Sequence, residues 1–128
     1  MLDSGYLPIV SSLGADDDGR IFNINADTVA AEIAVHLEAE KLIMLSDVNG
    51  IYLDGNDEST KLSRLTVSEA REMIESGRAT GGMIPKLENL ISLLNRGVRS
   101  AHIVSGTTRN AILAEVFTDE GTGTMVVQ

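Results

Sequence analysis

An unbroken apolar run, Leu42-Ile-Met-Leu45, stops abruptly at Ser46-Asp47 and turns through Asn49-Gly50. No other stretch constrains the chain as much. Four aliphatic side chains without alternation are the pattern of a strand buried on both faces, as in a parallel sheet covered by helices. In open α/β sheets, ligands bind just beyond the carboxyl ends of such strands. Ser46, Asp47 and Gly50 therefore fall where a ligand is held. The same polar residues also serve simply to stop a core strand and turn the chain, and the run alone does not choose between the two.

Strand and helix signals alternate on both sides of it. Leu7-Pro-Ile-Val10 reads as a short strand entered through a turn, and Ala15-Asp-Asp-Asp-Gly-Arg20 as a hairpin tip leading into Ile21-Phe22. Asn25 is a helix N-cap, with Asp27 in the first turn where the dipole favours an anion. An alanine-rich helix follows through Val29, Ile33, Val35 and Leu37. After Tyr52, residues 53–60 form a polar, turn-prone loop. Thr66-Val-Ser-Glu69 is a capping box opening a helix that Gly77 ends. A second helix is expected to start with Pro85 at its first position, with one apolar stripe of Leu87, Leu90, Ile91 and Leu94. Then come a strand at Ala101–Val104, a helix at Ala111–Phe117 and a closing strand at Gly123–Val127. Alternation without a break in composition predicts one α/β unit over residues 1–128.

Composition narrows the function classes. At 128 residues the chain is long enough to bury a core. With no Cys, neither disulfides nor thiolate metal sites hold it together. A formal net charge of −9 argues against nucleic acid or an anionic membrane as the main partner. A bound polyanion must then rely on local cations and helix ends. The start lacks the basic and apolar regions of a signal peptide, and no apolar run nears the ~20 residues needed to span a bilayer. The expectation is a soluble, cytoplasmic protein. Because it opens on what reads as a helix end, Leu2-Asp-Ser-Gly5, it is also expected to be the second half of a larger fold.

Two short stretches carry chemistry. In Gly81-Gly-Met-Ile-Pro-Lys86, two glycines let backbone approach a ligand, and first-turn N–H groups suit a phosphate. Lys86 opposes the helix dipole there but serves an anion bound at the same end. A solvated lysine after a flexible loop is the plainer alternative. In Asn23-Ile-Asn-Ala-Asp27, Asn23 and Asn25 point the same way if the segment is extended, and Asp27 can orient a lysine. Capping explains Asn25 and part of Asp27 but not Asn23. His36 and His102 read as packed histidines without a role, Asp16–Asp18 as a solvated turn, and Met73, Met83 and Met125 as filler. No metal ligand set is assigned. There is no Walker A loop, no dinucleotide fingerprint, no nucleophile elbow and no zinc spacing.

Taken together and in order, Gly5–Val10, Asn23–Asp27, Leu45–Gly50, Gly82–Lys86 and Phe117–Thr124 resemble the amino-acid kinase family, most closely its acetylglutamate kinases. The likeness covers essentially the whole chain but only the carboxyl-terminal half of those enzymes. It implies a three-layer αβα sandwich on a mainly parallel sheet, with this half holding ATP and Mg²⁺. It implies that Asn23, with Asn25, contacts N-acetyl-L-glutamate, that Asp27 orients the catalytic lysines, and that Lys86 stabilises the transferring phosphoryl group. The implied nucleotide site comprises Ser46, Asp47, Val48, Asn49, Gly50, Ile51 and Tyr52, with Arg78, Ala79, Thr80, Gly82 and Met83.

The family's Lys-x-Gly-Gly strand and second catalytic lysine belong to the amino-terminal half. The chain alone is therefore expected to be inactive, and the complete enzyme homo-oligomeric. Glu115 and Gly121 match positions used for feedback by arginine. His102-Ile-Val-Ser-Gly-Thr-Thr-Arg-Asn110, however, lacks the Asp, Arg and second His of arginine-inhibited members. Acetylaminoadipate, glutamate or aspartate kinase is the alternative within the family. A non-catalytic nucleotide-binding or regulatory module is the alternative outside its chemistry.

Overall fold

The computed structural model describes every residue except Met1, Asn56 and Glu120. Asn56, in the 53–60 loop, and Glu120, in the Phe117–Thr124 motif, thus lie outside the described residues. A short hairpin comes first: β1 (Leu13–Ala15) pairs antiparallel with β2 (Ile21–Asn23) across the acidic tip. Helix α1 (Ala26–His36) leads to β3 (Lys41–Ser46). Two-residue strands β4 (Ile51–Tyr52) and β5 (Lys61–Leu62) form a second hairpin. Strand β6 (Arg64–Thr66), helices α2 (Val67–Glu75) and α3 (Met83–Asn95), β7 (Ser100–Ser105), α4 (Ala111–Phe117) and β8 (Thr124–Val127) complete the order.

The central sheet runs β3-β7-β8-β6. Two of its three pairings, β3 with β7 and β6 with β8, are parallel, and β7 with β8 is antiparallel. Side chains alternate across a strand, so β7 serves two layers. Ala101 and Ile103 are buried in the main core with Met44, Leu87, Leu90 and Leu94 under α1–α3. His102 and Val104, also buried, face the other way, where α4 lies and Glu115 reaches His102. The result is an α/β arrangement with a mainly parallel sheet between helices, as the resemblance implied. Among the described residues no helix is long and apolar enough to cross a membrane.

Local signals set the helix ends. Asn25 Oδ1 accepts the Thr28 N–H at 3.1 Å, capping α1. At α2 the capping box is complete: Thr66 Oγ1 accepts the Glu69 N–H while the Glu69 carboxylate accepts the Thr66 N–H. Thr66→Ala removes half of this exchange and should lower stability by about 1 kcal/mol, read as a fall in the urea midpoint with an unchanged slope. An unchanged midpoint would mean that water serves the first turn equally well.

Several expectations are corrected. Leu7-Pro-Ile-Val10 forms no strand; Pro8 has no N–H to give a ladder, and Leu7 and Ile9 stand 87% and 95% exposed. The Leu42–Leu45 run is not buried on both faces. Strand β3 is a sheet edge, and Leu45, in an open cleft beside the start of α4, is 54% exposed while Met44 is buried. Helix α3 starts at Met83, so Pro85 is its third residue rather than its first. That position still lacks an intrahelical acceptor for an N–H, so Pro fits there too. His36 is not packed: its side chain is exposed on α1, with Nδ1 2.9 Å from the Glu32 carbonyl oxygen.

Candidate active site

Asp27 and Lys86, 59 residues apart, meet because α1 and α3 pack side by side. Lys86 Nζ lies 3.4 Å from Asp27 Oδ2, and the two side chains are 26% and 32% exposed. The Arg96 guanidinium forks onto the Glu32 carboxylate and pins the same two helices together. A pair as exposed as Asp27–Lys86 contributes at most about 1 kcal/mol to folding. Stability therefore does not account for a lysine set against its own helix dipole. The expected free amides beside it are largely committed. Met83 N–H donates to the Thr80 carbonyl at 3.1 Å and Ile84 N–H to the Gly81 carbonyl at 3.3 Å, while Pro85 has none. The positive charge at this end is that of Lys86.

The segment after β3 curls on itself. Ser46 Oγ donates to Asp47 Oδ1 at 3.1 Å and accepts from the Val48 N–H at 3.4 Å. Asp47, Val48, Asn49 and Tyr52 then form one wall of a cleft of about 410 Å³. Ser105, the last residue of neighbouring β7, and Thr107 and Thr108 just beyond it line it as well, with Gly55 and Glu58 at the hairpin loop. A second cleft of about 440 Å³ is lined by Leu53, Asp54, Gly55, Arg78 and Thr80. The two share Gly55, so both expected nucleotide segments, 47–52 and 78–80, open onto the β4–β5 hairpin.

Not every expected residue offers its side chain. Ile51 and Ala79 are buried in the core and line neither cleft. Gly50 (φ 115°) is buried in the turn. Asn49 Oδ1 is buried without a hydrogen-bond partner among the described residues. Arg78 is held by Glu72 at 2.5 Å and by Ser76 Oγ at 3.1 Å. Gly82 sits before α3 and Met83 begins it. Asn23 ends β2 with an exposed side chain, whereas Asn25 is engaged as the α1 cap. Ser105, Thr107 and Thr108 carry no motif in the sequence, although the rule that points to Ser46 applies equally to the strand beside it.

Glu115 and Gly121 are brought together on the α4 side. Glu115 Oε1 lies 2.6 Å from His102 Nδ1, both side chains being 5% exposed. Its Oε2 accepts the N–H groups of Thr122 (2.7 Å) and Gly123 (2.9 Å). Burial alone would raise the carboxyl pKa. The Thr122 N–H, the His102 ring and the Gly123 N–H outweigh it and hold the group below the usual carboxylate value. A Cβ on Gly121 would lie 2.7 Å from Oε2. Both oxygens of Glu115 are thus occupied by the chain's own donors.

The profile of the Amino acid kinase family matches residues 1–105. A protein of Methanococcus maripaludis named acetylglutamate kinase is 51% identical over 128 residues, covering 100% of this chain and 44% of that protein. One of the same name from Nostoc punctiforme is 51% identical over 127 residues, covering 99% and 43%. Among solved structures, N-acetylglutamate synthase from Neisseria gonorrhoeae superposes with a TM-score of 0.88 at 30% identity, covering 99% of this chain and 29% of that one. The chain thus spans less than half the length of the relatives it matches. With the profile running through most of its length and half of its residues shared with such relatives, the chain belongs to the amino acid kinase family.

Proposed function

We propose that this chain is the nucleotide-holding part of a cytoplasmic, ATP-dependent kinase that phosphorylates the side-chain carboxylate of N-acetyl-L-glutamate. The observation that carries the reading is the Asp27–Lys86 pair, a charge placed where folding gains little from it. The acetylglutamate kinases that are half identical to this chain support the acceptor.

In this reading an acceptor carboxylate oxygen attacks the γ-phosphorus of ATP, an acyl phosphate forms, and ADP leaves. The protein does little covalent work in such a transfer. Its task is to align the two reactants and to meet the charge spread over the phosphoryl oxygens. Lys86 supplies a compact positive charge for those oxygens, and Asp27 holds the flexible lysine stem in one place. Asn23 offers an exposed carboxamide at the end of β2, uncommitted among the described residues, for the acceptor. Mg²⁺ bound to the nucleotide would neutralise part of its phosphate charge. In a chain of net charge −9 these local cations matter for holding a polyanion at all. The remaining catalytic groups belong to the part of the relatives that this chain does not span.

Calorimetry with ADP and Mg²⁺ tests the reading. Binding should appear within the ~1 μM–1 mM range usual for enzyme substrates, without ATP consumption by the chain alone when N-acetylglutamate is added. No binding anywhere in that range would sink the nucleotide assignment. Turnover by the isolated chain would contradict the placing of the other catalytic groups.

A further inference from the structure

We infer that Thr124 is a positioning residue for the nucleotide clefts: its hydroxyl fixes the β4–β5 hairpin, the wall that the two clefts share. The identity of the ligand rests on the function proposed above; the clamp itself rests on geometry.

Hairpin β4–β5 has only two residues in each strand, and a ribbon that small is marginal in water without an anchor. Thr124 supplies one. It is fully buried, and its Oγ1 accepts the Ile51 N–H at 2.8 Å while donating to the Leu62 carbonyl at 2.5 Å. Ile51 and Leu62 face each other across the hairpin, so one hydroxyl holds both strands. The turn before β4 is built onto the same oxygen. Gly50 has φ 115°, and a Cβ there would stand 2.6 Å from Oγ1. Only glycine allows both the dihedral and the approach.

Thr124 is itself held from beneath. Its backbone pairs with Ile103 of β7. Gly123 lies so close to β7 that a Cβ would be 2.0 Å from the Ile103 carbonyl oxygen. The Glu115 carboxylate takes the amides of Thr122 and Gly123, and Lys61 Nζ donates to the Thr122 carbonyl at 2.9 Å. The chain of contacts runs from the sheet through residues 122–124 to Ile51 and Leu62. Beyond them lie Tyr52 and Gly55 of one cleft, and Leu53, Asp54 and Gly55 of the other. A methyl in place of the hydroxyl keeps the shape but leaves a buried donor and a buried acceptor without their partner.

The test compares Thr124→Val and Thr124→Ser in the 128-residue chain, reading the dissociation constant for Mg·ADP and amide exchange across residues 48–62. Thr124→Val should weaken Mg·ADP binding about tenfold, and Thr124→Ser, which keeps the hydroxyl, by no more than about twofold. Exchange at Ile51 and along the hairpin should speed up in the valine variant relative to β7 amides of the same protein. A valine variant that melts earlier yet binds Mg·ADP like the parent, or whose hairpin exchanges no faster, overturns the proposal by making Thr124 merely structural. If that variant does not fold, the parent decides. The Ile51 amide should be as protected as the β7 amides, and exchange at the rate of an exposed loop refutes the clamp. A parent that binds no Mg·ADP removes the nucleotide reading only, since the exchange measurements still judge whether Thr124 holds this wall.

Discussion

Lys86→Ala is expected to lower kcat about 100- to 1,000-fold, the usual loss when a donor that stabilises transition-state charge is removed. The assay is an active chimera in which this chain replaces the matching segment of the Methanococcus relative. KM for ATP should change far less, because the lysine meets charge that grows as the phosphoryl group leaves ADP, not charge already present in the ground state. Lys86→Arg should recover only part of the loss, since a broad guanidinium replaces a compact ammonium. Folding stability provides the control. The partner carboxylate is a third exposed, so breaking the pair should cost at most about 1 kcal/mol. A kcat within a few-fold of the parent would leave Lys86 as an ordinary solvated lysine after a glycine loop.

That lysine was legible in the sequence, and so was much of its setting, because the signals involved are local. The Thr66–Glu69 box, the Asn25 cap and the Ala111–Phe117 helix each depend on residues within a turn or two, and each forms where it was read. Pairing partners are not local, and here the reading failed. Strand β6 is three residues long and β4 and β5 are two each, too short to show a period. Conversely, Leu7-Pro-Ile-Val10 has the composition of a strand but no ladder in this chain. Leu45 sits in an apolar run yet lies half exposed, because the burial of a strand depends on what packs against it.

The candidate site divides along the same line. Asp27 and Lys86 could each be singled out from their helix starts, and their meeting follows from the packing of α1 on α3. Ser46 to Tyr52 announced itself by an apolar run that stops. Thr107, Thr108 and Thr124 did not, since hydroxyl residues in a loop or a strand are common and their partners lie far away in sequence. His102 and Glu115 are the strongest instance. They lie thirteen residues apart; His102 reads as a packed histidine and Glu115 only as a match to the family's arginine positions, and it is β7 beneath α4 that makes them a buried pair.

That pair carries the largest expected effect on stability. Glu115→Ala leaves the buried His102 ring N–H without its acceptor and should destabilise the fold by about 3 kcal/mol or more in all, since each buried donor left unsatisfied costs about 1–3 kcal/mol. The whole stability of a domain is about 5–15 kcal/mol, so the variant is expected to sit near the edge of folding. Solvent screening offers little discount, because both side chains are 5% exposed. Two further donors, the amides of Thr122 and Gly123, lose their acceptor in the same step. The pH dependence has a definite sign. Folding holds the Glu115 carboxyl below its ordinary value, so its contribution is fully present above about pH 4.3. It drains away as pH falls from there through the lowered folded value, because the unfolded chain takes up the proton first. Glu115→Gln keeps the shape and one acceptor oxygen but has no proton to exchange, so its acid limb should be shallower than that of the parent. Urea unfolding of the parent, Glu115→Gln and Glu115→Ala at neutral pH and near pH 4 separates these effects. A loss below about 1 kcal/mol for Glu115→Ala, the level of an exposed pair, would mean that water enters and serves both His102 and the 122–123 amides once the carboxylate is gone.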